Sequence, residues 1–184
     1  MSTVETERLI LRPWTADDGD ALAAIFAHPA VWWYPFGRGL SREASDRLLD
    51  RQLRHWETHG FGLWAAELKG EGTLIGYIGL AVPDWLPEVL PAVEVGWRLH
   101  PDHWGMGLAT EGGRASLRYG FEALGLDRII AIVQPANTAS GRVVEKLGFR
   151  HWRSTRDPER GVDLEVHEMT RADWEAPPSR PSAP

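Results

Sequence analysis

Apolar residues recur along this chain with a period of two in some stretches and of three to four in others, and each change of period marks an element. Residues 8–14 set apolar Leu9 and Leu11 against polar Arg12 in strand fashion. Thr15-Ala-Asp-Asp then offers a cap for a helix running through Leu22, Ile25 and Phe26. The stretch 32–40 is aromatic and rich in turn formers, after which Ser41 caps a second helix carrying Leu48, Leu49, Leu53 and Trp56 as far as Gly60. Two apolar runs, 63–68 and 74–82, are joined by Lys-Gly-Glu-Gly and read as a hairpin. Past a loop at 83–91, residues 92–99 read as a further strand, and 109–124 as a helix opening directly behind a glycine-rich turn. The buried strand 128–133 follows, then a short helix 138–147 ending at Gly148, then closing strands 149–154 and 164–170.

The order is strand, two helices, three strands, helix, strand, helix and two strands, with no repeat and no linker. It predicts an α+β fold around a mixed, partly antiparallel sheet. The expectation is one domain over 1–176 and a disordered Pro-rich tail over 177–184, which suits a length of 184 residues. A composition of 43% hydrophobic and 25% charged residues is that of a soluble globular protein. The net charge of -6 lacks the basic surplus of nucleic-acid binders. The absence of cysteine excludes disulfides, thiolate zinc sites and cysteine nucleophiles. The opening MSTVETERL is acidic where a secretory leader is basic, and no run reaches the length of a membrane span, so the chain is read as cytoplasmic with no membrane partner.

Chemistry concentrates in Leu99-His-Pro-Asp-His-Trp-Gly-Met-Gly-Leu-Ala-Thr-Glu. Small residues at Gly105, Gly107 and Ala109 leave main-chain amides unobstructed where a helix begins. A helix N-terminus offers unpaired N–H groups and about half a positive charge, which suits a pyrophosphate without a lysine cluster. A tight structural turn would need the same glycines. A P-loop would need Lys followed by Ser or Thr after the last glycine, and a dinucleotide fingerprint would need a small residue at Thr110; neither pattern is met.

The segment Trp104-Gly-Met-Gly-Leu-Ala109 resembles the cofactor loop Gln/Arg-x-x-Gly-x-Gly/Ala of the GCN5-related N-acetyltransferase (GNAT) superfamily. Its Trp-Gly-x-Gly-x-Ala-Thr-Glu form looks like the branch that acetylates ribosomal-protein N-terminal alanines. A second block, Asn137-Thr-Ala-Ser140 through Glu145-Lys-Leu-Gly148-Phe149, is similar to that branch's Asn-x-x-Ser…Glu-Lys-Leu-Gly-Phe signature, and Glu-Thr-Glu-Arg-Leu-Ile-Leu-Arg-Pro to its first strand. The resemblance implies the GNAT fold, a mostly antiparallel sheet of about six or seven strands with about four helices, parted in a V between 92–99 and 128–133. It implies acetyl-CoA as cofactor. The pantetheine arm would pair the main chain near Trp97, Arg98, Leu99 and His100 like an added strand. Trp104, Gly105, Met106, Gly107, Leu108, Ala109 and Thr110 would surround the pyrophosphate, with Asn137, Ser140, Val143 and Lys146 along the other wall. Asn137 equally suits a helix cap.

Acetyl transfer to an amine needs a base for the amine proton and a donor for the departing thiolate. Glu94, ten residues before Trp104, matches the position where several family members carry the base; outward orientation or substrate positioning are its other readings. The family's tyrosine acid would fall at position 144, which is Val144. Ser140 is the remaining catalytic candidate, with a hydrogen bond to cofactor as its other role. Trp33, Tyr34 and Phe36 fall where the family borders its acceptor, although large aromatics are also ordinary packing residues. His55 and His59 are one helical turn apart but without a third ligand, so no metal is expected. The chain thus reads as an N-acetyltransferase, monomeric or homodimeric, acting on a protein N-terminus or a small-molecule amine. A non-catalytic acyl-CoA-binding or sensing module is the alternative.

Overall fold

The computed structural model describes residues 2–32, 34 and 37–176. The expected tail at 177–184 and the acceptor candidates Trp33 and Phe36 lie outside these residues. Among the described residues eight strands form one sheet: β1 (Val4–Glu5), β2 (Leu9–Arg12), β3 (Leu63–Leu68), β4 (Leu74–Ala81), β5 (Val93–Leu99), β6 (Arg128–Val133), β7 (Arg150–Arg156) and β8 (Asp163–Thr170). Their spatial order is β1-β2-β3-β4-β5-β6-β8-β7, and every neighbouring pair is antiparallel except β5 and β6. Five α-helices accompany them among the described residues: α1 (Gly19–Ala27), α2 (Arg42–His59), α3 (Leu108–Arg118), α4 (Thr138–Leu147) and α5 (Arg171–Glu175).

The pattern of apolar positions located the long elements and missed the short ones. β1 contributes two residues, paired with Ile10 and Leu11, too few to show alternation. α5 is a single capped turn, in which Thr170 and Asp173 bond each other's main chain. The sheet is therefore wider by one strand than expected, and the helix count higher by one. The predicted helix 109–124 is regular only to Arg118; its last turn widens, with Leu124 N–H reaching back to the Tyr119 carbonyl at 3.0 Å.

Three buried apolar clusters form the core of the described residues, and the largest also takes in Leu108 and Ala115 of α3. Leu9, Leu11, Trp64 and Ile78 pack with Leu22 and Phe26 of α1 and with Leu48 and Trp56 of α2. Val93, Val95 and Ile129 pack with Leu117 and Phe121 of the α3 segment and with Val144 and Leu147 of α4. Trp97 touches both clusters and joins the two halves of the core under the middle of the sheet. Arg12 closes the edge near α1, donating to Asp18 at 2.6 Å and to Glu67 at 2.6 Å. Burial pushes the Asp18 carboxyl up, but hydrogen bonds from Arg12 and Thr15 outweigh it and hold the group below its ordinary value.

A bulge places Ile75 as the extra residue of β4 opposite Ala66 and Glu67. Gly76 next to it has φ of 139°, and a Cβ there would lie 2.1 Å from the Arg98 carbonyl oxygen of β5. Only glycine lets β4 and β5 meet at this point. Gly76→Ala is expected to cost roughly 2–4 kcal/mol, read as a lowered midpoint in thermal or urea unfolding, while an unchanged midpoint would place the strain elsewhere.

Candidate active site

β5 and β6 run parallel and share only two register pairs, Val93 with Ile129 and Glu94 with Ile130. Beyond them β5 stays with β4 as far as Leu99 and β6 stays with β8 as far as Val133, so the sheet opens as a V. Alternation along the ladders fixes which main-chain groups face the opening. His100 N–H donates to the Ile75 carbonyl of β4 at 2.8 Å, so Arg98 also turns its main chain to β4, and Trp97 and Leu99 turn theirs to the opening. Arg171 N–H bonds the Asp127 carbonyl at 2.8 Å, which by the same count sends Ile129 and Ala131 to β8 and Ile132 to the opening. Trp104 turns back and its indole donates to the Leu99 carbonyl at 2.8 Å. Apart from that carbonyl, the walls present strand edges without a ladder partner to an extended ligand.

At the mouth, one tight turn at Pro101–His103 leads to Gly105 and Gly107, with φ of 73° and 81°. Both are in the left-handed region, which glycine enters without steric cost. Gly107 caps α3, and the first bond into the helix is Glu111 N–H to the Gly107 carbonyl at 2.9 Å. The amides of Leu108, Ala109 and Thr110 therefore have no intrahelical acceptor, as at any helix start. Trp104 and Met106 are exposed on either side of Gly105. On the other wall Asn137 caps α4, its Oδ1 accepting from Ser140 N–H at 3.2 Å, which leaves its amide nitrogen as the group able to donate elsewhere. Ser140 and Val143 are partly buried in the first turns of α4, and Lys146 is exposed at its far end. Val144 points the other way, 2% exposed in the apolar layer with Leu147 and Phe149.

The opposite face of β5 carries Glu94, Gly96 and Arg98. Burial pushes the Glu94 carboxyl up to about 8 against the opposing pull of Arg98. A carboxyl with that affinity for protons is matched to an amine near neutral pH. Arg98 is committed to its surroundings: its guanidinium donates to the carbonyls of Val31 and Tyr34 and to the Tyr77 hydroxyl, and lies 3.9 Å above the Trp32 ring. Tyr34 in turn donates its hydroxyl to the Ala136 carbonyl at 2.9 Å. The segment after α1 is thus pinned to β5 by Arg98 and reaches the loop before α4 through Tyr34, spanning from one wall of the V to the other.

Sequence reasoning named Arg98 for its main chain and Tyr34 for its ring; the bond each makes across the site came only from the fold. It also missed Thr6, Arg8 and Glu111, which meet behind the glycine turn although Arg8 and Glu111 are 103 residues apart. A separate cavity of about 730 Å³ lies on the outer flank of α3, lined by Arg8, Gly107, Thr110, Arg114, Arg118 and Lys146 among others. It adjoins the glycine turn but not the V, which holds the candidate chemistry. The His55 and His59 rings lie 4.4 Å apart with their planes tilted by 41°, and no group of three or more potential metal ligands occurs among the described residues. No helix among them is long and apolar enough to cross a membrane.

Residues 8–150 match the family model described as an acetyltransferase (GNAT) domain. The chain is 46% identical to the uncharacterized N-acetyltransferase YnaD of Bacillus subtilis over 80% of this chain and 82% of that one. It is 31% identical to the FsC-acetyl coenzyme A-N(2)-transacetylase of Aspergillus fumigatus, over 94% of this chain and 77% of that one. A crystal structure of an acetyltransferase from Agrobacterium tumefaciens superposes with a TM-score of 0.77 at 28% identity, over 92% of this chain and 94% of that one.

Because Arg98 ties the segment after α1 to β5, Arg98→Met is expected to lower stability by about 2–3 kcal/mol and to expose residues 29–40 to limited proteolysis first. Global loss without early cleavage there would assign Arg98 to the core alone.

Proposed function

The chain belongs to the GNAT acetyltransferases, and from that premise we propose that it uses acetyl-CoA to acetylate the primary amine of a small molecule. The observation that carries this reading is the coincidence of three features in one opening: strand edges without a ladder partner, a helix start with outward amides, and a half-buried carboxyl. The residues fit the cofactor. The main chain of Trp97, Leu99 and Ile132 suits the amides of a pantetheine arm, the amides of residues 105–110 suit a pyrophosphate, and the Asn137 amide can donate from the facing wall. Arg114, which approaches the Lys146 carbonyl at 3.5 Å, places a second cation beside Lys146 on the outer flank. The name of the Aspergillus relative specifies acetyl coenzyme A and an N(2) position, which supports the donor and a nitrogen acceptor.

When bound, acetyl-CoA supplies a thioester carbonyl carbon open to a nitrogen lone pair. Glu94 then accepts the proton that the nitrogen sheds as the C–N bond forms, directly or through one water. Ser140 stands at the start of α4 to pass a proton to the sulfur as the C–S bond breaks, its own proton replaced from solvent. The acid that other family members draw from position 144 has no counterpart, because Val144 faces the core. The span from Arg98 through Tyr34 to Ala136 supports a compact acceptor over an extended peptide. Val144 also favours the second reading, a module that binds acyl-CoA without turnover.

The test follows thiol release from acetyl-CoA with a panel of small amines and short peptides. Glu94→Gln is expected to lower turnover by about 100-fold while CoA affinity stays within about 2-fold. The wild-type rate should rise as pH passes through about 8, because only the ionised carboxyl accepts a proton, and Glu94→Gln should lose that limb. A carboxyl raised from 4.5 to about 8 holds its proton more tightly in the folded chain, so folded stability declines as pH rises across that window, and Glu94→Gln removes the decline. Saturable CoA binding with no turnover on any acceptor would favour the binding module.

A further inference from the structure

The opening segment of the chain reaches the back of the glycine turn. Glu111, in the first turn of α3, accepts at Oε1 from the Thr6 hydroxyl at 2.6 Å and from Arg8 N–H at 2.8 Å. At Oε2 it accepts from Arg8 Nε at 2.7 Å, with Arg8 Nη2 at 2.6 Å. Arg8 Nη1 then donates to the Met106 carbonyl at 2.8 Å, and Nη2 lies 3.5 Å from where a Cβ on Gly107 would sit. The carboxylate is 16% exposed in its side chain and the guanidinium 43%. Burial pushes the Glu111 carboxyl up, but the bonds from Thr6 and Arg8 outweigh it and hold it ionised below its ordinary range.

The peptide unit joining Met106 to Gly107 is planar and trans, so its C=O and N–H point in opposite directions. With the carbonyl turned to Arg8, the Gly107 N–H points away from the guanidinium. Turning that unit over changes ψ of Met106 and φ of Gly107, and since glycine accepts either sign of φ the unit could otherwise aim its carbonyl dipole at the anion. Glu111 by itself would set a negative charge at the helix start, where a bound anion would oppose it; paired with Arg8 the charge is neutralised and the guanidinium is aimed.

We propose that Arg8 is a positioning residue that locks the Met106–Gly107 peptide with its N–H toward the pyrophosphate, and that Glu111 acts through it by orienting the guanidinium. This rests on the acetyl-CoA reading above. Neither residue is assigned contact with the reacting atoms.

The test is calorimetric titration of the purified full chain with CoA and with pantetheine, which lacks the pyrophosphate. The readout is the ratio of the two affinities, with a thermal midpoint for each variant. Arg8→Ala should reduce the preference for CoA about 10-fold, and Arg8→Lys, which retains the charge but reaches fewer acceptors, should reduce it less. Glu111→Ala should also lower the ratio, and Arg8→Ala/Glu111→Ala should be no worse than Arg8→Ala alone, because the carboxylate works through the guanidinium. A loss that falls equally on both ligands, tracking the thermal midpoint, would make the pair a structural clasp and overturn the proposal, as would an unchanged ratio or fully additive losses. A wild type showing no preference for CoA would instead overturn the cofactor reading, and the positioning role with it.

Discussion

Everything in the candidate site depends on two parallel strands that stop pairing. Hydrogen-bonding groups in a sheet are ordinarily satisfied by the next strand, and a buried orphan costs about as much as a lost hydrogen bond. Here β5 and β6 part after Glu94 and Ile130, while each keeps an antiparallel partner on its other side, β4 and β8. The V is therefore held open by well-formed ladders, with Trp97 joining the two halves of the core beneath it. The unsatisfied edges become binding surface, and the glycine turn at the mouth adds amides of the same kind. On the acetyl-CoA reading, the amide-bearing and anionic parts of one extended ligand would be met by main chain throughout, so a chain of charge -6 would need no lysine cluster to suit a pyrophosphate.

Side chains then divide the labour by face. Odd-numbered positions of β5 pack against α3 and α4, while even-numbered ones face the segment after α1. Glu94 and Arg98 share that second face with opposite fates. Arg98 spends its donors on Val31, Tyr34 and Tyr77 and builds a wall, whereas burial leaves Glu94 with a strong affinity for protons. Separating a structural cation from a titrating carboxyl in this way gives the site a fixed shape and one adjustable charge.

The elements long enough to show their period were legible in the sequence, and so was the glycine turn, because its residue types are dictated by local backbone geometry. Glu94 was named from the family resemblance, and what the fold adds is its half-buried place on β5 beside Arg98; the Asn137 cap was legible from its residue type. β1 and α5 were too short to carry a period. The links of Arg8 to Glu111 and of Tyr34 to Ala136 were illegible for another reason: each is a contact between remote segments, created when the sheet brings the chain's opening behind α3 and the aromatic loop across the V. The inward turn of Val144 is of the same kind, since helix periodicity alone does not say which side of α4 the core takes.

The most direct measurement is a backbone-amide NMR titration of the full chain with CoA. The largest shifts are expected at Leu99 and Trp97, through the amides of residues 105–110, and at Ile132 and Asn137, tracing a ligand along both walls of the V and around its mouth. Shifts confined to Arg114, Arg118 and their neighbours in the outer cavity of α3, or none at saturating CoA, would contradict the assignment of the V as the cofactor site.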